Sequence, residues 1–393
     1  MKGITYLDHA ATAAIRPRAV RAAVAAYLDD VGATPGRGGH RLAIEAGRIA
    51  LRCRQQIARL LNLPGDVGRI AFMANATQAL NTALHGTLRP GERIVVTTLD
   101  HNAVLRPAAA LARERSVDVV LARIEIDGTV DDDALLRALN GARLLVINAA
   151  SNVTGARIDV QHVARLAREA GALTVVDVAQ VAGHLPFDAA AANVDMVAFT
   201  GHKGMLGPQG IGGLWVREGV DVEPLLTGGT GGDSMLRSMP APYPDHLEAG
   251  TINGPGIAGL AAGIGVVLEE GVVAIHDRLA LLKDTLREGL RAIDGVHVHS
   301  PPAPEGAPIV TITAAGLDAA ALAARLDREH GVLTRPGLHC APEAHRMLGT
   351  DRTGAVRLSL GWSSTERDVA RALEAVRAVL HGSPATARAA AVT

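Results

Sequence analysis

Aromatic side chains are scarce in this sequence: Phe, Trp and Tyr together make up 2% of its 393 residues. The hydrophobic fraction is nevertheless 48%, so a large core can form, but it must be built from aliphatic and alanine side chains. Single-stranded nucleic acids bind by stacking bases on exposed aromatic rings, which this composition supplies poorly. The net charge of −1 provides no strongly basic surface for nucleic acid or for an anionic membrane.

Cysteine is also rare, with Cys53 and Cys340 as the two examples. They form no CxxC pair and no disulfide framework, which excludes a small disulfide-built secreted domain. Residues 1–6 lack the apolar run of a signal peptide. The longest uncharged stretch, 249–268, is interrupted by an Asn-Gly-Pro-Gly sequence that is unsuited to a membrane span. We therefore expect a cytoplasmic protein without a membrane span or a metal site.

Lysine is the third rarity, because only Lys2, Lys203 and Lys283 are found among the 39 Lys and Arg residues. Codon bias is the simplest explanation for so much arginine. A lysine that persists under such a bias indicates a need for a primary amine. Lys203 is the lysine that lies in a glycine-rich segment, 201–213.

Short β-branched runs alternate with helical patterns through the first two thirds of the chain. The predicted strands are 69–73, 93–98, 118–124, 143–149, 173–178, 195–200 and 212–216. Because these runs are apolar throughout, they favour a mostly parallel seven-stranded sheet flanked by helices, an α/β fold.

The pattern changes after residue 255. Apolar residues recur every three or four positions from Ile275 to Ile293, which predicts a long amphipathic helix. Short strands follow at 296–299, 308–313, 331–334 and 355–360, and a last helix is predicted from Thr365. We therefore predict a large α/β domain over 15–255 and a small C-terminal α+β domain over 256–383. Residues 1–14 are a candidate addition to the small domain.

Polar residues directly follow several predicted strands, at the edge where open α/β sheets bind ligands. Segment 73–79 opens a helix with Thr77 and small residues, and can present N–H groups to an anion, although an ordinary helix cap is the plainer interpretation. His101 can stack on a planar ring, or it is simply a loop histidine. Asp177 ends a buried strand and needs a partner, either a cofactor pyridinium near Gln180 or an arginine.

The strand over 195–200 leads Thr200, His202 and Lys203 into the glycine-rich segment. Thr200 and His202 can donate hydrogen bonds to a phosphate, and Lys203 would then lie beside an aldehyde held by that phosphate. A cationic neighbour in a dry site lowers the pKa of an amine, as Schiff-base chemistry requires. A surface lysine is the alternative, and it fits poorly with the rarity of lysine in this chain.

The order of these motifs resembles the class V aminotransferase family of fold-type I pyridoxal 5′-phosphate (PLP) enzymes, and most closely its cysteine desulfurase and selenocysteine lyase branch. The resemblance runs from segment 6–12 (Tyr-Leu-Asp-His-Ala-Ala-Thr) to about Glu366. It implies cofactor-binding roles for Ala76, Thr77, His101, Asp177, Gln180, Thr200, His202, Lys203 and Thr251. By the same resemblance Lys203 carries PLP, and Thr251 completes the site of a partner subunit. A homodimer with shared active sites is therefore implied.

Two C-terminal segments bear on the reaction. Arg357 lies in an apolar strand and needs an anion, either a substrate carboxylate or a structural ion pair. The substrate-binding residues implied by the resemblance are Asn152, Arg335 and Arg357. Cys340 lies in segment 335–342, which we expect to be a loop, and nearby positive charge favours its thiolate. A loop cysteine without a role in sulfur transfer is the alternative, and a zinc site at His339, Cys340 and His345 lacks a further pair of ligands.

We therefore predict a PLP-dependent cysteine desulfurase. L-cysteine would become L-alanine, and its sulfur would pass to Cys340 as a persulfide and then to an acceptor protein or thiol. Lys203, Cys340 and His101 are the predicted catalytic residues. The alternatives are another class V PLP reaction (selenocysteine lyase, C–S β-lyase, epimerase or aminotransferase) and a non-catalytic scaffold that kept the fold.

Overall fold

The structure is a computed structural model that describes residues 3–36, 38–232, 235–302 and 306–381. Its strands are β1 Thr5–Tyr6, β2 Ile70–Met73, β3 Arg93–Thr97, β4 Asp118–Ala122, β5 Ala142–Asn148, β6 Leu173–Asp177, β7 Met196–Thr200, β8 Gly212–Val216, β9 Val296–Val298, β10 Ile309–Ala314, β11 Val332–Leu333, β12 Arg335–Gly337 and β13 Ala355–Ser359. Its α-helices are α1 Arg18–Ala26, α2 Arg41–Leu61, α3 Ala76–Thr87, α4 Asn102–Arg115, α5 Asp132–Leu139, α6 Val160–Glu169, α7 Ala189–Ala192, α8 Gly254–Glu270, α9 Val272–Arg291, α10 Ala319–His330, α11 Pro342–Leu348 and α12 Glu366–His381.

The large sheet matches the prediction closely. Within the described residues it has seven strands in the order β2-β8-β7-β6-β5-β3-β4. β8 runs antiparallel to both of its neighbours, and the other adjacent strands are parallel. The predicted mostly parallel seven-stranded α/β fold is therefore confirmed. The carboxyl ends of β5, β6 and β7 meet at one edge, which positions the polar residues that follow them.

Alternating residues of each central strand are buried on opposite faces of this sheet. Ile147 and Val176 belong to one hydrophobic core, and Val146 and Val175 to the other. Helices cover both faces, as a parallel sheet without a polar face requires. With few aromatic rings, these cores are filled by Ala, Val, Leu and Ile side chains that pack the helices closely onto the sheet.

A second sheet forms in the C-terminal part, in the order β12-β13-β10-β9 with antiparallel pairing. β1 pairs in parallel with β11, and Asp8 bridges to Ser359. These contacts support the proposal that residues 1–14 join the small domain. The domain boundaries themselves stay a prediction, and the predicted end at residue 383 lies outside the described residues.

Segment 335–342 differs from the expected loop. Arg335–Gly337 forms β12 and pairs with β13, so the loop begins only after Gly337. Pro336 is compatible with this strand because β12 lies at the edge of its sheet, where a missing N–H costs least. The local residues Pro and Gly disfavour a strand, and pairing with β13 overrides that preference.

The last helix begins as its cap predicts. Thr365 precedes α12, and its N–H and Oγ1 both donate to Asp368 Oδ2, at 2.9 and 2.7 Å. Helix α1 is followed directly by a π-helical turn over Tyr27–Val31. Among the described residues no single helix is long and apolar enough to cross a membrane; α8 and α9 together have the length and composition, but they are bent by 80°.

Two glycines give a matched test of the packing. At Gly213 in β8, a β-carbon would lie 2.5 Å from the Ala71 carbonyl oxygen, and two flanking strands prevent the backbone from moving. We expect Gly213→Ala to lower the free energy of unfolding by about 1–3 kcal/mol through overpacking. Chemical denaturation followed by circular dichroism measures this change.

The control is Gly47→Ala in the middle of α2, where no atom lies within 4 Å of the added β-carbon. Here alanine should raise the free energy of unfolding by about 0.5–1 kcal/mol, because glycine is a poor helix former. Equal effects of the two substitutions would contradict the packing around β8.

Candidate active site

A cleft of about 800 Å³, including the part open to solvent, lies at the carboxyl ends of β5, β6 and β7. The structure brings most of the predicted site residues to it. Those lining the cleft are Ala76, Thr77, His101, Asn152, Asp177, Gln180, Thr200, His202, Lys203, Arg335 and Arg357. Cys340 and Thr251 do not line it, although His339, the neighbour of Cys340, does.

Lys203 and Asp177 form the electrostatic centre of the cleft. Asp177 ends β6 in a buried position, and its Oδ1 accepts a hydrogen bond from the Ala179 N–H at 2.8 Å. Burial raises the pKa of Asp177, while the Ala179 N–H and the Lys203 ammonium oppose that rise. Burial, together with the positive charges of Arg357 and Arg335, lowers the pKa of Lys203 to about 8 against the opposing effect of Asp177. The amine is therefore much closer to its neutral, nucleophilic form than an ordinary lysine at neutral pH.

His101 caps the first turn of α4. Its Nδ1 accepts a hydrogen bond from the Ala103 N–H at 3.0 Å, so the proton of the neutral ring lies on Nε2. Burial lowers the pKa of His101 to about 4, with Lys203 and Arg335 adding to the effect. A neutral imidazole with a fixed tautomer suits stacking on a planar ring and donation from Nε2.

Donors to an anion converge at one end of the cleft. Ala76 and Thr77 occupy the first turn of α3, where backbone N–H groups have no acceptor within the helix. Thr200 ends β7, and its buried hydroxyl has no partner among the described residues. His202 Nδ1 lies 3.1 Å from Thr12 Oγ1; when that hydroxyl donates, Nε2–H is free to donate into the cleft. A phosphate group fits these donors.

Four buried polar atoms without a partner lie in the same place. Asn148 Oδ1, Asn152 Oδ1, Thr200 Oγ1 and Arg357 Nε have no hydrogen-bond partner within the described residues, and all four residues line the cleft. Buried polar groups are normally paired, so such a cluster indicates a polar ligand. With the acid at Asp177, the flat ring of His101 and the donors at α3, the residues fit a phosphate-bearing pyridine such as PLP.

Two arginines face each other across neighbouring strands. Arg335 in β12 and Arg357 in β13 are direct cross-strand partners, an arrangement in which like charges repel. Arg357 is 2% exposed; its Nη2 donates to Asp8 Oδ1 at 3.0 Å and its Nη1 to the Asn152 carbonyl at 2.9 Å. Asp8 therefore neutralises one of the two charges. A second anion, such as a substrate carboxylate, would balance the remaining one.

Cys340 lies in a turn joined to residues of the cleft. Asn152 Nδ2 donates to the His339 carbonyl at 2.7 Å, and the Asn102 N–H donates to the Cys340 carbonyl at 2.6 Å. Burial lowers the pKa of Arg357, while Asp8 and, as a smaller effect, Cys340 raise it, so the thiol and the guanidinium interact electrostatically. Cys340 is partly exposed, whereas Cys53 is fully buried in α2, where burial raises its pKa to about 12.

Thr251 is exposed in a segment that is anchored from within. Glu248, three residues earlier, is buried, and its Oε1 accepts hydrogen bonds from Arg54 Nη2 at 2.7 Å and the Phe72 N–H at 2.6 Å. This ion pair fixes the chain just before Thr251 near the start of α3. The predicted role of Thr251 in a partner subunit's site stays a prediction.

Sequence reasoning did not assign roles to Asp8, Asn148 and His339, which the structure places in or beside the cleft. Asn148 had the same signal as Asp177, a polar residue ending a buried strand. For Asp8 the sequence offered no signal beyond its position within segment 6–12, because its partner Arg357 lies near the other end of the chain. Among the described residues, no group of three or more His, Cys, Asp and Glu side chains could hold a metal ion.

The family model for the class-V aminotransferases matches residues 5–372 of this chain. The chain therefore belongs to the class-V aminotransferase family. A protein named probable cysteine desulfurase from Methanothermobacter thermautotrophicus is 32% identical over 375 residues, covering 93% of this chain and 92% of the relative. Another with that name from Pyrococcus abyssi is 32% identical, covering 91% of this chain and 89% of the relative.

Solved structures agree with the sequence relatives. An apo cysteine desulfurase from Thermococcus onnurineus NA1 superposes with a TM-score of 0.89 at 29% identity, covering 97% of this chain and 95% of that one. The cysteine desulfurase CsdA from Escherichia coli superposes with a TM-score of 0.84 at 28% identity, covering 96% and 95%. The family and fold predicted from the sequence are thereby confirmed.

The lowered pKa of Lys203 is measurable without turnover. We expect acetylation of the Lys203 amine in cofactor-free protein to rise with pH around a midpoint of about 8, because only the neutral amine reacts and burial lowers its pKa from 10.5. Competitive labelling with acetic anhydride, followed by mass spectrometry of the Lys203 peptide, gives the midpoint.

Two variants test the sign of the neighbouring charges. Asp177→Asn removes an anion that raises the pKa of Lys203, so its midpoint should fall below that of wild type. Arg335→Gln removes a cation that lowers it, so its midpoint should rise. Shifts in the opposite directions would refute the electrostatic account.

Proposed function

We propose that the protein is a PLP-dependent cysteine desulfurase that converts L-cysteine to L-alanine and receives the sulfur on Cys340. The observation that carries the proposal is the junction between the cleft and the Cys340 turn, made by Asn152 and Asn102. It joins the Cys340 thiol to a site that contains a lysine of lowered pKa, Lys203, and an arginine without an ion-pair partner among the described residues, Arg335. The names of the relatives and structural neighbours support the same reaction.

The chain's own residues define how the substrate would be held. PLP, when bound, supplies an aldehyde that condenses with amines and a ring that withdraws electrons from the adjacent carbon. Lys203 would hold the aldehyde and later move protons at the substrate α-carbon. Asp177 would hold a proton at the pyridine nitrogen, and His101 would stack on the ring. Gln180 would contact the phenolic oxygen.

The remaining polar groups would orient the two ends of the site. Thr77, Thr200 and His202 would bind the phosphate, together with the N–H groups at the start of α3. At the opposite side, Arg335 and Arg357 would bind the substrate carboxylate, and Asn152 would line the substrate pocket. This arrangement would direct the substrate sulfur toward the Cys340 turn.

The sulfur step balances without an external oxidant. The Cys340 thiolate attacks the substrate sulfur, so that an S–S bond forms and the Cβ–S bond breaks with its electron pair going to carbon. Protonation of that carbon gives alanine, and the enzyme keeps a persulfide. Two thiols, or an acceptor protein, then remove the sulfur and restore Cys340.

We further propose a cytoplasmic homodimer in which Thr251 reaches the partner subunit's phosphate site. The anchoring of its segment by Arg54 and Glu248 supports that role, because a residue offered to another subunit must be held rigidly by its own. The large domain over 15–255 and the small domain over 256–383 would then close around the shared site.

Replacing the two cysteines separately tests the sulfur acceptor. We expect Cys340→Ser to reduce alanine formation from L-cysteine by about a hundredfold or more, because the hydroxyl does not accept sulfur as the thiolate does. The visible absorbance of bound PLP should be unchanged. The assay is alanine and sulfide production in the presence of a thiol reductant.

Cys53→Ala is the matched control, since Cys53 is buried in α2 away from the cleft. It should retain activity within about twofold of wild type, because the loss of a small buried group affects stability rather than chemistry. Pyruvate and ammonia as the main products would instead indicate a β-lyase. Full alanine formation by Cys340→Ser would exclude Cys340 as the acceptor.

The two arginines should differ in their substitution effects. Arg335 makes no ion pair among the described residues. Arg335→Gln should therefore raise KM for L-cysteine about tenfold, which corresponds to the free energy of roughly one charge-assisted hydrogen bond, with little effect on Tm.

Arg357 is buried against Asp8. Arg357→Gln should raise KM and also lower the free energy of unfolding by about 3 kcal/mol, because Asp8 loses its partner. Steady-state kinetics and denaturation curves separate the two effects.

A further inference from the structure

The turn that carries Cys340 has an unusual backbone. His339 and Cys340 have φ values of +51° and +58°, so two consecutive residues with β-carbons adopt the left-handed conformation. Such residues disfavour this region, and they persist there only when their surroundings impose it. The contacts that impose the turn therefore decide where the thiol is held.

One set of contacts comes from the cleft side. The carbonyls of His339 and Cys340 accept hydrogen bonds from Asn152 Nδ2 and the Asn102 N–H. These bonds fix the positions of two backbone oxygens. They leave the side chain of His339 to be held from elsewhere.

A buried chain of hydrogen bonds holds it from the other side. His339 Nε2 lies 2.9 Å from the Arg335 carbonyl oxygen, His339 Nδ1 lies 3.0 Å from His345 Nε2, and His345 Nδ1 lies 2.7 Å from Thr350 Oγ1. His339, His345 and Thr350 are at most 5% exposed. The chain links β12, the Cys340 turn, α11 and the loop after it.

The direction of each bond follows from its acceptor. A carbonyl only accepts, so His339 Nε2 must carry a proton, and its Nδ1 must then accept in the neutral ring. His345 Nε2 therefore donates to it, and His345 Nδ1 accepts from the Thr350 hydroxyl. Burial lowers the pKa of His339 to about 3 and that of His345 to about 4, so both rings are neutral at neutral pH.

The Thr350 hydroxyl is the donor that satisfies His345 Nδ1, because the Arg335 carbonyl already fixes where each ring carries its proton. Without this hydroxyl, the buried Nδ1 acceptor has no partner and the His345 ring loses the bond that fixes its orientation. A ring that turns to pair Nδ1 elsewhere moves Nε2 away from His339 Nδ1. That movement removes the support that the left-handed turn receives from this side.

We propose that His345 and Thr350 are positioning residues that hold the Cys340 turn for sulfur transfer through this hydrogen-bond chain. The inference rests on the proposed function, in which Cys340 accepts the sulfur. Neither side chain touches the cleft, so their effect should fall on the step that uses Cys340. Substrate binding and cofactor binding depend on other residues.

The test compares Thr350→Val with Thr350→Ser in the PLP-loaded enzyme. Valine has the shape of threonine without its donor, and we expect kcat for alanine formation to fall about tenfold, roughly the value of one lost hydrogen bond. KM for L-cysteine and the PLP absorbance should be unchanged, and Thr350→Ser should recover most of the loss. Thr353→Val, at an exposed position in the same loop, is the matched control and should behave as wild type.

Hydrogen–deuterium exchange provides a readout that needs no activity. Amides of residues 335–342 should exchange faster in Thr350→Val than in wild type, and Thr350→Ser should remain close to wild type. If Thr350→Val does not fold, two substitutions of His345 take its place. His345→Gln keeps an N–H donor toward His339, so the amides of residues 335–342 should exchange as in wild type. His345→Leu removes that donor, so the same amides should exchange faster.

Two results would overturn the inference. One is unchanged exchange over 335–342 in Thr350→Val; the other is a kcat equal to that of wild type. A raised KM for L-cysteine, a loss of PLP absorbance, or an equal loss of kcat in Thr350→Ser would also count against a positioning role. Failure of wild type to form alanine would refute the proposed function instead, and the exchange experiment would still decide whether the chain holds the turn.

Discussion

The buried guanidinium of Arg357 is the group on which the rest of the site depends. It lies where the small sheet meets the cleft, pairs with Asp8, and faces Arg335 across the sheet. Burial itself is the largest cause of the lowered pKa values of Lys203 and His101, and the positive charge of Arg357 adds to both. A lysine of lowered pKa and a neutral imidazole beside a buried guanidinium suit the amino-acid chemistry that we propose.

The two sheets contribute different parts of that site. The carboxyl ends of the large sheet supply the groups that fit a phosphate-bearing ring, such as Asp177 and Thr200. The small sheet supplies the cations and the turn with Cys340. Residues at the start of the chain connect them, because Asp8 bridges to Ser359 and pairs with Arg357. The chemistry we propose therefore exists only where both parts meet, and the hydrogen bonds to the Cys340 turn span that junction.

Much of the fold could be predicted because its strands are buried on both faces. Each of the seven apolar runs became a strand of the large sheet, and the ends differ by at most two residues. β12 was missed since Pro336 and Gly337 disfavour strands locally, and only pairing with β13 makes one there. The register that places Arg335 opposite Arg357 has no local signal either. Strand pairing is a long-range interaction, so a sequence window does not contain it.

The candidate site divides in the same way. The residues themselves, from Thr77 and His101 to Lys203 and Arg357, could be named from the sequence alone, because their motifs, each with an ordinary alternative, follow one another in the order of a known family. The tertiary structure decided what surrounds them: Asp8 as the partner of Arg357, the orphaned oxygens in the cleft, and the histidine chain behind Cys340. Each of these contacts joins residues whose proximity depends on the packed fold. The physical reason is that a side chain's type is local information, whereas its charge environment and hydrogen-bond partners exist only once the chain has packed.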